Sequence, residues 1–440
     1  MCSPAASRRC SSDSKSSSTP GSPSSWSCRS TSRRRGERSS SRSRPRSCRC
    51  RHHRVADGRR AVIAGVATSD YPNLPDMSEY QVHAQAAERA LADAGLTFDD
   101  IDGYATVGFF PMYAVQLSEY LRLQPHWFDE TNFGGASFEV LVEHAARAVE
   151  AGACDTVLVT YGSVQLSAMG RRLGTGGRGP APSGPAAFDQ LWGNTLVGSY
   201  ALAARRHMHE FGTTSEQLAE IAVTMRTHAA FNPHAQYRDP ITVHDVLGSR
   251  MIAEPLHMLD CCVISDGGGA CVVTTEERAR DLPKPPIHVL GAAHAMTHHM
   301  NVSAMPDMTV TAAARSGPLA FAHAGLTPAD VDTAQLYDSF TITVLLTLED
   351  LGFCGKGEGG AFVEGGRLRF DGALPTNTDG GGLSACHPGM RGMFLIVEAV
   401  RQLRGEAGAT QVPDAKVAVA HGTGGMLSTG ATLLLGTERP

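Results

Sequence analysis

The sequence predicts an α/β protein built from two similar halves. Three short apolar runs rich in β-branched residues have the character of strands, at 61–68, 156–163 and 270–275. Between them lie segments of helical periodicity such as 79–95, which ends at Gly95, a residue type that commonly caps helices. Strands that alternate with helices in this way are typical of α/β folds.

The division into halves is predicted by an internal repeat. The segment AGLTFDDID at 94–102 returns as AGLTPADVD at 324–332, with six of nine positions identical. Both copies follow an alanine-rich helical segment and precede an apolar one, so we interpret them as equivalent parts of two homologous halves. A charged, proline-containing linker, EERARDLPKPPI, surrounds the boundary, and the predicted halves span 59–280 and 281–440.

Residues 1–58 differ in composition from the rest of the chain. The first 54 residues are rich in serine and contain 14 lysines and arginines but only two acids. Such a segment has too little apolar surface to offset the entropy of ordering, so we expect a disordered tail. We favour a misassigned start of translation as its origin; a transit peptide and an RNA-binding arm are the alternatives.

The composition of 55–440 limits the function. This part holds 25 basic and 42 acidic residues, so a nucleic-acid-binding surface is not expected. No apolar run reaches the ~18 residues of a membrane span. The six cysteines outside the tail lack CxxC spacing, which favours a reducing, cytoplasmic setting over disulfides or a metal site. Segment 169–192 is predicted to be a loop, and no GK[ST] ending follows its GTGGRG stretch as in a phosphate-binding loop.

The stretch 131–152, TNFGGASFEVLVEHAARAVEAG, predicts a buried helix whose start lacks a reactive side chain. The N-terminus of a buried helix lowers the pKa of a nucleophile placed there. Here two glycines, Gly134 and Gly135, stand at the positions where a nucleophile would be expected. We therefore predict a site without nucleophilic catalysis from this helix.

Three stretches of the second half resemble the thiolase superfamily. They are YDSFTITVLLTLEDLGF (337–353), TNTDGGGLSACHPGMRGMFLIVEAVRQLRG (376–405) and AHGTGGMLSTGATLLL (420–435), supported by ISDGGGACVV at 264–273. The similarity covers roughly 60–440 and is greatest to the sterol-carrier-protein thiolase-like branch, which includes the lipid-transfer-protein aldolases. It implies two duplicated βα halves in an α-β-α-β-α layered stack. It also implies a homodimer, with a small OB-fold and zinc-ribbon protein as a candidate partner.

The resemblance assigns roles to individual residues. Family members carry a nucleophilic cysteine 17 residues before the glycine that closes the helix, and counting back from Gly152 leads to Gly135. His387, in CHPG, corresponds to a histidine that stabilises an enolate or tetrahedral oxyanion. Tyr337 stands where relatives use Asn or His to orient a water, and could itself exchange a proton. His421 stands where thiolases keep a second, proton-transferring cysteine.

Further contacts with the substrate are expected from the same motifs. Glycines let backbone N–H groups approach a thioester closely, and the predicted substrate-binding set comprises Gly135, Asp338, Ser339, Gly422, Gly424 and Gly425. Cys386 is a candidate surrogate nucleophile, although a small buried side chain is the simpler interpretation. Cys261 and Cys262 are interpreted as core residues, and Tyr237 is a candidate second proton donor.

These residues predict an enzyme that acts on acyl-CoA thioesters at the Cα–Cβ bond. Without a thiol the covalent route of acyl transfer is lost, whereas enolate stabilisation by His387 is retained. We therefore predict retro-aldol cleavage of a β-hydroxyacyl-CoA of the lipid or steroid side-chain type, by His387, Tyr337 and His421. The alternatives are an acyl-CoA acyltransferase and a non-catalytic acyl-CoA or lipid-binding subunit. No cofactor is expected, and coenzyme A enters as part of the substrate.

Overall fold

The structure, a computed structural model, describes residues 58–169, 187, 191–193, 195–298 and 302–440. Almost all of the predicted tail 1–58 lies outside these residues. So do most of the predicted loop 169–192 and its GTGGRG stretch.

The elements alternate along the chain as predicted. The strands are β1 Ala61–Thr68, β2 Gly103–Val107, β3 Trp127–Thr131, β4 Thr156–Ser163, β5 Met251–Ala253, β6 Leu256–His257, β7 Gly267–Thr275, β8 Ile287–Met296, β9 Thr333–Leu336, β10 Val417–Gly424 and β11 Thr429–Gly436. The helices are α1 Glu79–Ala94, α2 Tyr113–Tyr120, α3 Ser137–Glu150, α4 Gln165–Met169, α5 Leu196–Phe211, α6 Ser215–Ala229, α7 Val243–Gly248, α8 Glu276–Ala279, α9 Ala313–Ala324, α10 Thr341–Asp350, α11 Gly359–Val363 and α12 Gly392–Leu403. The predicted strands at 61–68 and 156–163 coincide with β1 and β4.

Nine of these strands form one hydrogen-bonded sheet in the order β3-β2-β4-β7-β1-β8-β11-β10-β9. The first half supplies the five strands from β3 to β1, and the second half supplies the other four. The two parts are joined where β1 pairs with β8, and only through Val62 with His288 and Ile63 with Ile287, so the connection between them is narrow.

The helices form the predicted layers around these strands. Helices α3 and α12 contact strands of both halves and each other, so they lie in the central layer. Nearly all residues of both helices are buried, as the apolar character of their sequences requires. Helix α1 covers β1, β4 and β7 on one outer side, and α9 covers β8 and β11 on the other. The α-β-α-β-α arrangement is therefore present.

The two copies of the internal repeat adopt the same local structure. In each copy a glycine ends the helix in the left-handed conformation, Gly95 with φ 70° and Gly325 with φ 69°. A 3₁₀ turn follows, Phe98–Asp100 in the first copy and Pro328–Asp330 in the second, and leads into β2 or β9. This equivalence supports the duplication, while the boundary of the halves stays a prediction.

Candidate active site

A cavity of about 210 Å³ lies where segments of both halves meet. The first half supplies the loop before α3, residues from α4 and α5, and the segment 262–264. The second half supplies the segment between β9 and α10, the HPGM stretch before α12, and the turn between β10 and β11. These segments contain three of the motifs on which the sequence prediction depends.

Tyr337 and His387 form a hydrogen-bonded pair in the wall of this cavity. The Tyr337 hydroxyl lies 3.0 Å from Nε2 of His387, and both side chains are buried. The backbone N–H of Tyr337 donates to the His421 carbonyl at 2.9 Å, which continues the β9–β10 ladder. The backbone N–H of His387 donates to Oγ of Ser265 at 2.7 Å. Main-chain bonds thus hold both members of the pair in place.

Burial keeps both members of the pair uncharged. Burial first, and then the nearby Arg391 guanidinium, lower the pKa of His387 to about 4. Burial also raises the pKa of Tyr337 well above its usual value. At neutral pH the site therefore contains a phenol and a neutral imidazole.

Gly135 lines the cavity and lies directly against the Tyr337 ring. A Cβ built on Gly135 would be 2.0 Å from Cε2 of Tyr337 and 2.5 Å from the carbonyl oxygen of Thr423. Real Cβ atoms essentially never approach other atoms so closely. The space for a side chain at this position is therefore filled by the tyrosine.

The loop that carries His387 is anchored by a buried arginine. Arg391 makes two hydrogen bonds to Asp379, at 2.5 and 2.6 Å, and donates to the Cys386 carbonyl at 2.8 Å. Asp338 accepts bonds from the N–H groups of Gly382 and Leu383 at the π-helical turn of the GGGLSA segment, at 2.8 and 3.1 Å. The Asp338 carboxylate is fully buried in this support and does not line the cavity, so the structure does not bring it to the other predicted substrate-binding residues.

His421, the third predicted catalytic residue, does not face the cavity. Successive side chains of a strand point to opposite faces, and Nδ1 of His421 bonds Oγ1 of Thr432 on β11 at 2.9 Å. Thr432 in turn bonds Ser316 of α9 at 2.9 Å, so this face lies under the outer helix. Gly422 points the other way, where a Cβ would be 2.2 Å from Oε2 of Glu139. Gly422 therefore faces α3, and neither residue lines the cavity.

The remaining predicted contact residues do lie at the cavity. Gly135, Ser339, Gly424 and Gly425 all line it. Gly425 has φ +60°, a conformation that a glycine adopts without strain. The structure thus brings together four of the six predicted substrate-binding residues and two of the three predicted catalytic ones.

The thiols are placed differently from the prediction in one respect. Cys386 does not line the cavity; it is buried, bonds Ser265 at 3.2 Å, and has its pKa raised to about 12 by burial. Cys261 is buried as expected, but Cys262 lines the cavity and is the one thiol among the described residues that does so. Burial raises the pKa of Cys262 well above its usual value, so it is a poor nucleophile.

Tyr237 is not part of the cavity. It is 40% exposed, and its ring lies under the Arg226 guanidinium at 5.3 Å. Sequence reasoning missed Tyr200 instead, a cavity residue whose hydroxyl donates to the Gly425 carbonyl at 3.2 Å. Tyr200 belongs to the amphipathic helix α5 and carries no motif, so no sequence signal distinguishes it from a core residue.

The described residues contain neither a cluster of metal-ligating side chains nor a membrane-spanning helix. In the ranges that the structure describes, no three His, Cys, Asp or Glu side chains converge as ligands for a metal ion. Within the same ranges, no helix has the length and apolar character needed to cross a membrane.

Comparison with known proteins shows one superfamily. Residues 294–437 match the family described as thiolase C-terminal domain-like. A steroid side-chain-cleaving aldolase from Thermomonospora curvata is 38% identical over 86% of this chain and 98% of its own. The 17-hydroxy-3-oxo-4-pregnene-20-carboxyl-CoA lyase of Mycobacterium tuberculosis is 36% identical over 83% and 96%. An acetyl-CoA acetyltransferase from Methanothermobacter thermautotrophicus is 35% identical over 85% and 98%.

A solved structure agrees with these relatives. The Ltp2-ChsH2(DUF35) aldolase superposes with a TM-score of 0.78 at 36% identity, over 87% of this chain and 98% of that one.

Proposed function

Because this chain belongs to the thiolase superfamily, we propose that it cleaves the Cα–Cβ bond of a β-hydroxyacyl-CoA in a retro-aldol reaction. The observation that carries the proposal is the Tyr337–His387 pair, whose tyrosine ring fills the space of a side chain at Gly135. The site therefore offers proton transfer and lacks an acyl acceptor at this position.

The pair moves the proton of the β-hydroxyl group. As the Cα–Cβ bond breaks, the β-carbon becomes a carbonyl and its hydroxyl proton passes to the phenolic oxygen of Tyr337. Tyr337 gives its own proton to Nε2 of His387, 3.0 Å away, which is free to accept because the imidazole is neutral. The bonding electrons remain on Cα as a thioester enolate. The proton held by His387 then returns through Tyr337 to Cα, which completes the acyl-CoA product and restores the neutral imidazole.

The enolate is stabilised by charge and by the main chain. The imidazolium formed at His387 lies beside the enolate. The attraction between the two opposite charges offsets the free-energy cost of burying them. Gly424 and Gly425 line the cavity without side chains, which lets the thioester oxygen approach backbone donors. The resemblance assigned enolate stabilisation to His387, and the mechanism keeps that role for its protonated form.

The substrate carries an apolar group on its β-carbon. The cavity walls include Leu196, Val263, Ile264, Phe340 and Met390. Two relatives are a steroid side-chain-cleaving aldolase and a lyase of a steroid carboxyl-CoA. We therefore place this chain's substrate among CoA thioesters of lipids or steroids with a hydroxyl group on the β-carbon.

The acyltransferase alternative is supported by a relative, but no described residue of the cavity is a competent nucleophile for it. The acetyl-CoA acetyltransferase relative is nearly as similar in sequence. Covalent acyl transfer, however, needs a nucleophile, and the described cavity offers only Cys262, whose thiol stays protonated. If the chain only bound acyl-CoA or lipid, the Tyr337–His387 pair would have no chemical role.

The assembly is also part of the proposal. Strand β3 is an edge of the sheet, and Phe128 on it is 62% exposed. Unpaired edges and exposed apolar side chains favour pairing with another chain, so we propose a homodimer formed through β3. The Ltp2-ChsH2(DUF35) aldolase contains a second protein, which supports a small partner for this chain as well; we propose that it is of the OB-fold and zinc-ribbon type that the resemblance implies. Light scattering of the chain, alone and co-expressed with such a protein, measures both associations.

The proposed activity is tested with purified protein and a branched β-hydroxyacyl-CoA. We expect equal amounts of a ketone and a shorter acyl-CoA, and a loss of turnover in His387→Ala with the fold intact by circular dichroism. Turnover that survives in His387→Ala would contradict the proposed mechanism. An acyl group trapped on Cys262 or Cys386, seen by mass spectrometry, would favour the acyltransferase alternative.

A further inference from the structure

A second cavity adjoins the first and is not used by the mechanism. Its volume is about 350 Å³, and it lies between the end of β4, α4 and the loop that carries His387. Gln165, Gly389 and Met390 line both cavities. The second cavity is therefore adjacent to the first, on the side of the residues that follow His387, and these three residues separate the two.

The lining of the second cavity is suited to an uncharged, apolar group. Phe109, Val164 and Pro388 are among its walls. The Tyr161 hydroxyl is already engaged, since it donates to the Pro388 carbonyl and accepts from the Met390 N–H at 3.1 Å. The polar group of this tyrosine is therefore not free for a ligand.

Charge excludes the nucleotide part of coenzyme A from this cavity. Its charged lining residue is Glu79, and no lysine or arginine is among the described residues that line it. The phosphates of coenzyme A need cationic or helix N-terminal partners, and a carboxylate repels them. An uncharged part of the substrate is the occupant that this lining accepts.

Size leads to the same conclusion. Cavities that bind small molecules usually measure about 300–1,000 Å³, and the first cavity alone, at about 210 Å³, is below this range. It has room for the reacting thioester and β-carbon but not for a large group attached to them. The adjoining 350 Å³ supplies that room.

We propose that the second cavity binds the carbonyl-product half of the substrate, an uncharged ring system or branched apolar chain on the β-carbon. This inference rests on the proposed function and adds a determinant of specificity to it. Gly389 and Gln165 lie between the two cavities and are close together, since a Cβ at Gly389 would be 2.5 Å from Oε1 of Gln165. Ala168, exposed on α4, lines the second cavity only.

The test fills the second cavity by Ala168→Phe and compares two substrates. One is a short β-hydroxyacyl-CoA, and the other carries a polycyclic group on the β-carbon. We expect turnover of the bulky substrate to fall at least about tenfold, with a raised KM, while the short one is unaffected. Ala92→Phe is the matched control, because Ala92 is exposed on α1 and lines neither cavity.

Binding of fluorenone, a planar tricyclic ketone, provides a readout that needs no turnover. Calorimetry is expected to show binding to the wild type and to Ala92→Phe, and at least about tenfold weaker binding to Ala168→Phe. Equal binding to all three proteins, or equal loss of both substrates in Ala168→Phe, would overturn the inference. If the wild type cleaves neither substrate but binds fluorenone in an Ala168-dependent way, the proposed function fails and the apolar site stands.

Discussion

The ring of Tyr337 occupies the volume that a side chain at Gly135 would need, with Cε2 at 2.0 Å from the position of such a Cβ. The absence of a nucleophile and the presence of the tyrosine are therefore one structural feature. The same tyrosine bonds His387, so the substitution converts a position for covalent chemistry into one for proton transfer.

Restoring a side chain at Gly135 is expected to damage the site. Gly135→Ala must displace Tyr337 or the Thr423 carbonyl, and overpacking of this kind costs about 1–3 kcal/mol. We expect a lower midpoint in denaturant and a loss of cleavage. The control is Gly248→Ala, because no atom lies within 4 Å of a Cβ at Gly248 and its φ is not positive. Full activity and stability in Gly135→Ala would contradict the packing described here.

Removing the Tyr337 hydroxyl group tests its role in proton transfer without changing the packing of the ring. Tyr337→Phe keeps the ring against Gly135 but ends the hydrogen bond to His387, so cleavage is expected to fall by about 10²–10⁴-fold, the range of general acid–base catalysis. Tyr104→Phe is the matched control, since it removes a buried hydroxyl that bonds Thr160 in another cluster. A rate constant for Tyr337→Phe close to that of the control would exclude the phenol from proton transfer.

The thiol in the cavity is expected to be dispensable. Cys262→Ala removes the one thiol among the described lining residues, and its raised pKa already makes it unreactive. We expect the kcat of β-hydroxyacyl-CoA cleavage to stay within about threefold of the wild type, a change of less than 1 kcal/mol in the barrier. A complete loss of cleavage in a folded Cys262→Ala protein would indicate covalent catalysis by this thiol.

The acid side of the pH profile reports the state of His387. Burial and Arg391 hold its pKa at about 4, so the neutral base persists as the pH falls through the usual histidine value and is lost near pH 4. The folded protein loses stability over the same range, because histidines of the unfolded chain bind protons first. We expect kcat/KM to decline near pH 4, with folding monitored by circular dichroism. A decline near the ordinary histidine pKa would mean that His387 is solvated.

Glu139 is expected to make stability depend on pH in the opposite direction. Burial raises its pKa from 4.5 to about 8, and neither oxygen bonds another described residue. The folded state therefore holds a proton that the unfolded state releases, so stability falls as the pH rises from about 5 to about 8. Glu139→Gln removes this loss, so its stability relative to the wild type should rise by a few kcal/mol across that window.

Glu143 supplies the contrasting control for this titration. Burial opposes ionisation of Glu143, but hydrogen bonds from His294 and Arg147 outweigh it and lower its pKa. Glu143→Gln should therefore lose stability relative to the wild type at neutral pH and regain it in acid. Denaturant melts at several pH values measure both variants, and a pH-independent difference for Glu139→Gln would show that its carboxyl is not buried as described.

Much of the fold follows from local sequence patterns. β1 and β4 are continuous apolar runs, and α1 has both its period and the left-handed glycine that ends it. Each of these signals is contained within a few adjacent residues. The repeat adds long-range information because two copies of one segment predict two equivalent local structures, and both are present.

The site was predicted less completely than the fold. The sequence does not show which face of a strand a residue occupies, or whether a motif residue contacts substrate or anchors a loop. His421 and Gly422 are neighbours on a strand, so a shift of one position exchanges the outer face for the face toward α3. Asp338 belongs to a specific motif, but motif membership does not distinguish a substrate contact from a carboxylate that holds a loop. Cys262 reaches the cavity from an irregular segment, where no periodicity indicates which way a side chain points.

The dependence of cleavage on free coenzyme A distinguishes retro-aldol cleavage from acyl transfer. Retro-aldol cleavage needs no second substrate, whereas acyl transfer consumes one coenzyme A for each bond broken. With a branched β-hydroxyacyl-CoA and no free coenzyme A, we predict that ketone and acyl-CoA appear together at a rate that added coenzyme A does not raise. Ketone formation that requires coenzyme A, or cleavage of only β-ketoacyl-CoA in its presence, would rule out retro-aldol cleavage by this site.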